Sequence, residues 1–68
     1  MELDHVFKYH APEPEQLAKY QTLRDAAKTF AAVILENTPI GADQTAAIRK
    51  VREAVMTANA AVALKGRL

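Results

Sequence analysis

Residues 14–36 read PEQLAKYQTLRDAAKTFAAVILE, and this stretch decides the fold of the chain. Apolar side chains recur in it at spacings of three and four, the period of one helix face; they are Leu17, Tyr20, Leu23, Ala27, Phe30 and Ile34. From Phe30 to Leu35 the stretch is apolar on every side. A surface helix needs only one apolar stripe, so a helix that is apolar all round must be buried all round. The stretch therefore predicts a long helix that needs more cover than this chain alone supplies.

The length of the chain makes that shortage acute. The chain has 68 residues, which limits it to one domain. A core of this size supplies only about 3–5 kcal/mol, and small proteins compensate with disulfides, metals or oligomerisation. Cysteine is absent, and two histidines do not complete a tetrahedral zinc shell without carboxylates. Oligomerisation is the remaining route, so we predict a homo-oligomer.

A short turn and a second helix follow the first. Asn37 tolerates a left-handed conformation and Pro39 blocks continuation, so the first helix is expected to end around Glu36 to Thr38. Asp43 is the predicted N-cap of the second helix, and Gly66 its predicted stop. Apolar residues repeat along this helix at alternating spacings of three and four, as a seam of nearly heptad character: Ile48, Val51, Val55, Ala58 and Val62.

The predicted fold class is all-α, an antiparallel helical hairpin with an N-terminal arm, assembled into a homo-oligomer. Residues 1–68 form one helical domain, with an arm at 1–13 and helices at about 14–36 and 43–65. Pro14 suits the first helical position, where its missing N–H costs nothing. We expect the arm to be irregular and docked on the helices by Phe7. Several apolar residues lie off the seams and are expected to need other surfaces: Val33, Leu35, Met56, Ala60 and Leu64.

Charge and composition exclude several function classes. Net charge is +1, whereas a partner such as long nucleic acid calls for a strongly basic face. No run approaches the roughly 18 apolar residues of a membrane span, so we expect a soluble cytoplasmic protein with no membrane partner. Serine and cysteine are absent, which removes the usual nucleophiles, and we predict no enzyme activity and no cofactor. Asp4, His5 and His10 match no defined metal motif, so no metal site is predicted.

Aromatic and cationic residues form the most informative candidate site. Tyr9 and His10 precede the rigid Pro12–Pro14 segment, while Arg24 and Lys28 lie one turn apart on the first helix. Rings that stack on bases and cations that meet phosphates are what a nucleotide pocket needs. The alternative is that Tyr9 fastens the arm to the helix and that the two cations form a solvated face.

Two features of the second helix each allow two interpretations. Arg49, Lys50 and Arg52 form a basic cluster, which Glu53 partly offsets, and a solvated face is the favoured interpretation. Asn59 lies in an apolar run, where burying an amide without a partner is costly. Either Asn59 faces solvent, or it meets a partner at an interface or a ligand.

Several segments together resemble a known family. They are FKYHAP at 7–12, KY at 19–20, LRDAAK at 23–28, EAVM at 53–56 and ANAAVA at 58–63, with Gln16 between the first two. Over roughly residues 6–64 the chain is similar to the phage anti-CBASS cyclic-oligonucleotide sponges. Members of that family are small helical homohexamers. They sequester cyclic dinucleotides such as cyclic GMP–AMP, and in some cases cyclic trinucleotides at a separate site, without cleaving them.

The resemblance implies a phage immune-evasion protein that blocks CBASS signalling in the cytoplasm of the infected bacterial host. It implies that Tyr9 stacks on a base and that Arg24 or Lys28 meets phosphate, in pockets made by more than one protomer. The full ligand-binding set that it implies is Tyr9, His10, Pro12, Arg24, Lys28, Asn59 and Lys65. Two other hypotheses are a helical phage adaptor that binds a host protein and a small nucleic-acid binder, which the near-neutral charge disfavours.

Overall fold

The computed structural model describes residues 3–66, and three helices form within that range. Helix α1 spans Leu3–Val6, α2 spans Pro14–Asn37 and α3 spans Ala42–Ala63. Among these helices, α2 and α3 are the pair that pack together. The prediction of an all-α helical hairpin is therefore confirmed. The arm was predicted to be irregular, but part of it is helical. The Phe7 N–H donates to the Leu3 carbonyl at 3.0 Å and closes a helical turn.

Local chemistry sets both ends of α2. Pro14 is the first helical residue, and the Glu13 N–H that precedes it donates to Gln16 Oε1 at 2.9 Å. At the other end, the Asn37 amide donates to the Val33 carbonyl, and Thr38 adopts an extended backbone. Thr38 precedes a proline, which disfavours the α region and ends the helix there.

Helix α3 begins earlier than the N-cap prediction allowed. Its N-cap is Gly41 and its first residue is Ala42, so the assignment of Asp43 as N-cap is wrong. The Gly41 carbonyl accepts both the N–H and the hydroxyl of Thr45, each at 3.2 Å, and so the N-cap lies two residues earlier than predicted. Asp43 instead lies within the first turn, where negative charge interacts favourably with the helix dipole.

The end of α3 is a Schellman motif. The Gly66 N–H donates to the Ala61 carbonyl at 3.0 Å, and the Lys65 N–H donates to the Val62 carbonyl at 3.2 Å. Lys65 itself takes a left-handed backbone with φ of 54°, a position usually given to glycine. The helix consequently ends at Ala63, and Lys65 lies beyond it.

The predicted seam of α3 faces α2, since all five of its residues are half-buried. The α2 stripe is only partly correct, because Leu17 and Phe30 are exposed while Gln16 and Ala31 turn toward α3. Leu64 was expected to need another surface, yet only 8% of it is exposed, and it is the one buried apolar residue among those described. The remaining off-seam residues, Val33, Leu35, Met56 and Ala60, are exposed as expected.

The hairpin encloses almost no core of its own. Its radius of gyration is 14.7 Å, against about 11 Å for a compact domain of this length. Its accessible surface is 5549 Å², against about 4,250 Å² for a typical monomer of this mass. Within residues 3–66, no helix is both long and apolar enough to cross a membrane.

Candidate ligand-binding site

A pocket lies at the open end of the hairpin, where the arm passes over the start of α2 and the end of α3. Its volume is about 370 Å³. Three predicted site residues, Tyr9, His10 and Lys65, line it together. The full lining is His5, Lys8, Tyr9, His10, Ala11, Glu13, Gln16, Ala63 and Lys65. We call it the end pocket.

Gln16 holds the end pocket together. Only 6% of it is exposed, and its Nε2 donates to the Val62 carbonyl at 3.0 Å, which joins α2 to α3. Its Oε1 accepts the Glu13 N–H and so also fixes the chain that leads in from the arm. Sequence reasoning missed this role, although a glutamine three residues after a helix N-cap is the residue expected in a capping box.

The aromatic residues of the arm are not docked in the way that was expected. Phe7 is 81% exposed, so the prediction that it fastens the arm to the helices is wrong for the single chain. His10 instead braces the arm internally, because its Nε2 donates to the His5 carbonyl at 2.6 Å and the two rings meet edge to face at 4.6 Å. Tyr9 projects outward with 82% of its surface exposed. A ring that is held on a braced backbone and left uncovered is free to stack.

Lys65 closes the pocket by an ion pair with Glu13, with Nζ 3.0 Å from Oε1. This hydrogen bond holds the pKa of the Glu13 carboxyl below its usual value. Both side chains are well exposed, so the pair contributes little to stability. The Lys65 ammonium group retains two further N–H donors, and these can form hydrogen bonds to the oxygens of a ligand.

A second cleft lies between α2 and α3, about halfway along the hairpin, and has a volume of about 280 Å³. Arg24 and Lys28 line it from α2, as the one-turn spacing predicted, and Arg52 joins them from α3. Its floor is apolar, formed by Ala27, Ala31, Ile48, Val51, Val55 and Met56. We call it the cationic cleft.

Arg52 is the residue of this cleft that sequence reasoning missed. It lies four residues after Ile48 and three before Val55, so helical spacing puts it beside the seam. The predicted basic cluster does not form one face. Lys50 lines a larger apolar groove on the opposite flank, which has a volume of about 530 Å³ and includes Phe30. Arg49 lines neither of these two cavities.

Two predicted site residues lie outside both pockets. Asn59 is half-buried, and its Oδ1 is enclosed without a hydrogen-bond partner among the described residues. Of the two alternatives for Asn59, that burial disfavours simple exposure to solvent. Pro12 is exposed and lines neither the end pocket nor the cationic cleft. Within residues 3–66, no three His, Asp or Glu side chains cluster in a way that could hold a metal ion.

Comparison with known proteins identifies the family. A search of curated proteins gave no significant match, and neither did a search of solved structures. A family model described as the Acb2/Tad1 hairpin domain matches residues 1–63, which is most of the chain. The match covers the arm, both long helices and the cationic cleft, and it includes every lining residue of the end pocket except Lys65. The chain therefore belongs to the Acb2/Tad1 hairpin domain family, the anti-CBASS and anti-Thoeris cyclic nucleotide sponges, whose members are non-catalytic.

Proposed function

We propose that this protein sequesters cyclic dinucleotides, such as cyclic GMP–AMP, in pockets formed between copies of the chain. One observation carries the proposal beyond the family assignment. The end pocket offers an exposed aromatic ring and the cationic cleft offers phosphate-binding groups, yet the two share no lining residue. Gln16 and Arg24 are eight residues apart, which is about 12 Å along a helix. A second copy would bring the Tyr9 of one chain to the cations of another.

The surface of the hairpin supports assembly. Its accessible area exceeds that of a typical monomer of its mass by about 1,300 Å², whereas a standard interface buries only about 800 Å² per partner. Phe30, Val33, Leu35 and Met56 are exposed. They would be covered in an oligomer, and we propose the hexamer that is expected for this family.

The chemistry of the two pockets fits retention of an intact ligand. The Tyr9 ring would stack on a base, a contact worth about 1–3 kcal/mol per base. Arg24 and Lys28 would hold phosphate oxygens through charge-assisted hydrogen bonds. No serine or cysteine is present in the chain to attack a phosphodiester. The protein would therefore withdraw the second messenger from host CBASS effectors in the cytoplasm of the infected bacterium.

A separate site for cyclic trinucleotides is a second part of the proposal. Asn59 supports it, because an enclosed amide oxygen without a partner is costly unless a ligand or a neighbouring copy donates to it. Lys65 has spare donors at the same end of α3. His10 and Pro12 would act by shaping the arm that carries Tyr9.

Thermal shift with cyclic GMP–AMP tests the proposal, with the oligomer mass measured in the same samples. Ligand that binds only the native protein should raise the melting temperature and should be recovered intact after denaturation. Tyr9→Ala should weaken binding without changing the mass, while Tyr9→Phe, which keeps the ring, should bind like the wild type. A monomeric protein, or an oligomer that no cyclic nucleotide stabilises, would refute the proposal and favour the adaptor hypothesis.

A further inference from the structure

The cationic cleft carries positive charge from both helices and no compensating charge. Arg24 and Lys28 line it from α2 and Arg52 lines it from α3, and none of its lining residues is acidic. The one ion pair between described residues, Lys65–Glu13, lies at the end of the hairpin. Arg24 donates to Gln21 Oε1 at 2.6 Å, and this partner is a neutral amide. The three cations therefore have no carboxylate partner within the cleft, and an anion that enters it meets positive charge from both helices.

The walls of the cleft limit what that anion can be. The cations stand above a floor of alanine and aliphatic side chains, so the cleft favours a ligand with charge at its edge and apolar faces. A single phosphate would satisfy one guanidinium fork and leave the other cations without an anionic partner. Two phosphates joined by a short organic linker would satisfy both helices at once.

We infer that Arg52 is a phosphate-binding residue and that the cationic cleft selects ligands with two phosphates over ligands with one. This inference rests on the proposed function, because it assigns the phosphates of the sequestered ligand to this cleft. Arg24 and Lys28 hold one phosphate from α2, and Arg52 holds the other from α3. The guanidinium of Arg52 has a planar fork that matches two phosphate oxygens, which a lysine ammonium lacks.

Arg52→Gln tests the inference, and Arg49→Gln is its matched control on the same helix. Both residues are exposed arginines, but only Arg52 lines the cleft. Arg52→Gln removes a hydrogen bond between charged groups, so it should reduce the affinity for cyclic GMP–AMP by about 10- to 100-fold. Arg49→Gln should stay within about twofold of wild type, since exposed charges act weakly. Arg52→Lys should fall between the two, and cyclic AMP, with one phosphate, should bind far more weakly than cyclic GMP–AMP.

Inorganic pyrophosphate provides a second probe that separates this inference from the proposed function. Its titration should shift the side-chain N–H resonance of Arg52 and not that of Arg49. If wild type binds cyclic GMP–AMP but both variants bind it equally, the role of Arg52 is refuted and the proposed function stands. If wild type binds pyrophosphate through Arg52 but no cyclic dinucleotide, the proposed function fails and the cleft assignment stands. Failure of both ligands to bind refutes both.

Discussion

Replacing Gln16 with methionine tests whether one buried amide ties the open end of the hairpin together. Methionine has nearly the length and volume of glutamine, so Gln16→Met removes both hydrogen bonds without opening a cavity. The bond to the Val62 carbonyl joins the two long helices, and the bond from the Glu13 N–H fixes the start of α2. The Val62 carbonyl keeps its bond from the Lys65 N–H, so the Glu13 N–H is the group left without a partner.

The expected loss is about 2 kcal/mol of unfolding free energy, from two hydrogen bonds at about 1 kcal/mol each. In a domain of this size that lowers the melting temperature by about 8–16 °C. The measurement is thermal unfolding followed by circular dichroism at one fixed protomer concentration, since the stability of an oligomer depends on concentration. Gln21→Met is the matched control, because Gln21 lies on the same helix and its bonds to Asp25 and Arg24 are exposed. Equal melting temperatures for the two variants would refute the reasoning.

Three further predictions follow from the same structure. Because Lys65 holds the pKa of Glu13 below its usual value of 4.5, the pair adds stability above that pH and loses it below. The difference in melting temperature between wild type and Glu13→Gln should therefore shrink from pH 7 to pH 3, and a constant difference would contradict it. Lys65→Gly should raise stability by about 0.5–1 kcal/mol, because relief of the left-handed backbone outweighs an exposed ion pair; a lower melting temperature would show that the pair dominates. Phe30→Ser should reduce the oligomer mass in sedimentation, because Phe30 is exposed on the single chain and would be covered in the oligomer, and an unchanged mass would place the interface elsewhere.

The fold was predictable because it follows from the helical spacing of the apolar residues. The seam of α3 repeats at helical spacing over its whole length, and all of its residues face α2. The errors lie in part of the α2 stripe, where Leu17 and Phe30 are exposed, and at the ends of the helices, where one hydrogen bond decides the register. Asp43 is a suitable N-cap by residue type, but the first hydrogen bonds of the helix are those that Thr45 donates to the Gly41 carbonyl. Leu64 is buried although it lies off the predicted seam and just beyond the last residue of α3, so the seam pattern did not reveal its burial.

Residue spacing could predict the cationic cleft only where its residues share one helix. The one-turn spacing of Arg24 and Lys28 correctly brought them to one cleft. Arg52 was missed because its partners, Arg24 and Lys28, are on the other helix. Which residues of α3 lie opposite them depends on how the two helices pack, and the spacing within one helix does not give this. Gln16 was missed because polar residues near a helix start are usually solvated, whereas this one is buried against the Val62 carbonyl. Phe7 was misassigned because its hydrophobic side chain predicts burial but does not identify the surface that buries it.

The contacts at the two ends of the hairpin span very different lengths of chain. The turn is closed by a bond between Thr38 and Gln44, six residues apart, while Glu13 and Lys65 are 52 residues apart. Closing a longer loop costs more entropy, so we expect the turn to form first and the contacts between the arm and the end of α3 to form last. Tyr9 thus stands at the end of the hairpin whose contacts close the longest loop, and we expect a molecule bound there to act as a clasp on the whole hairpin.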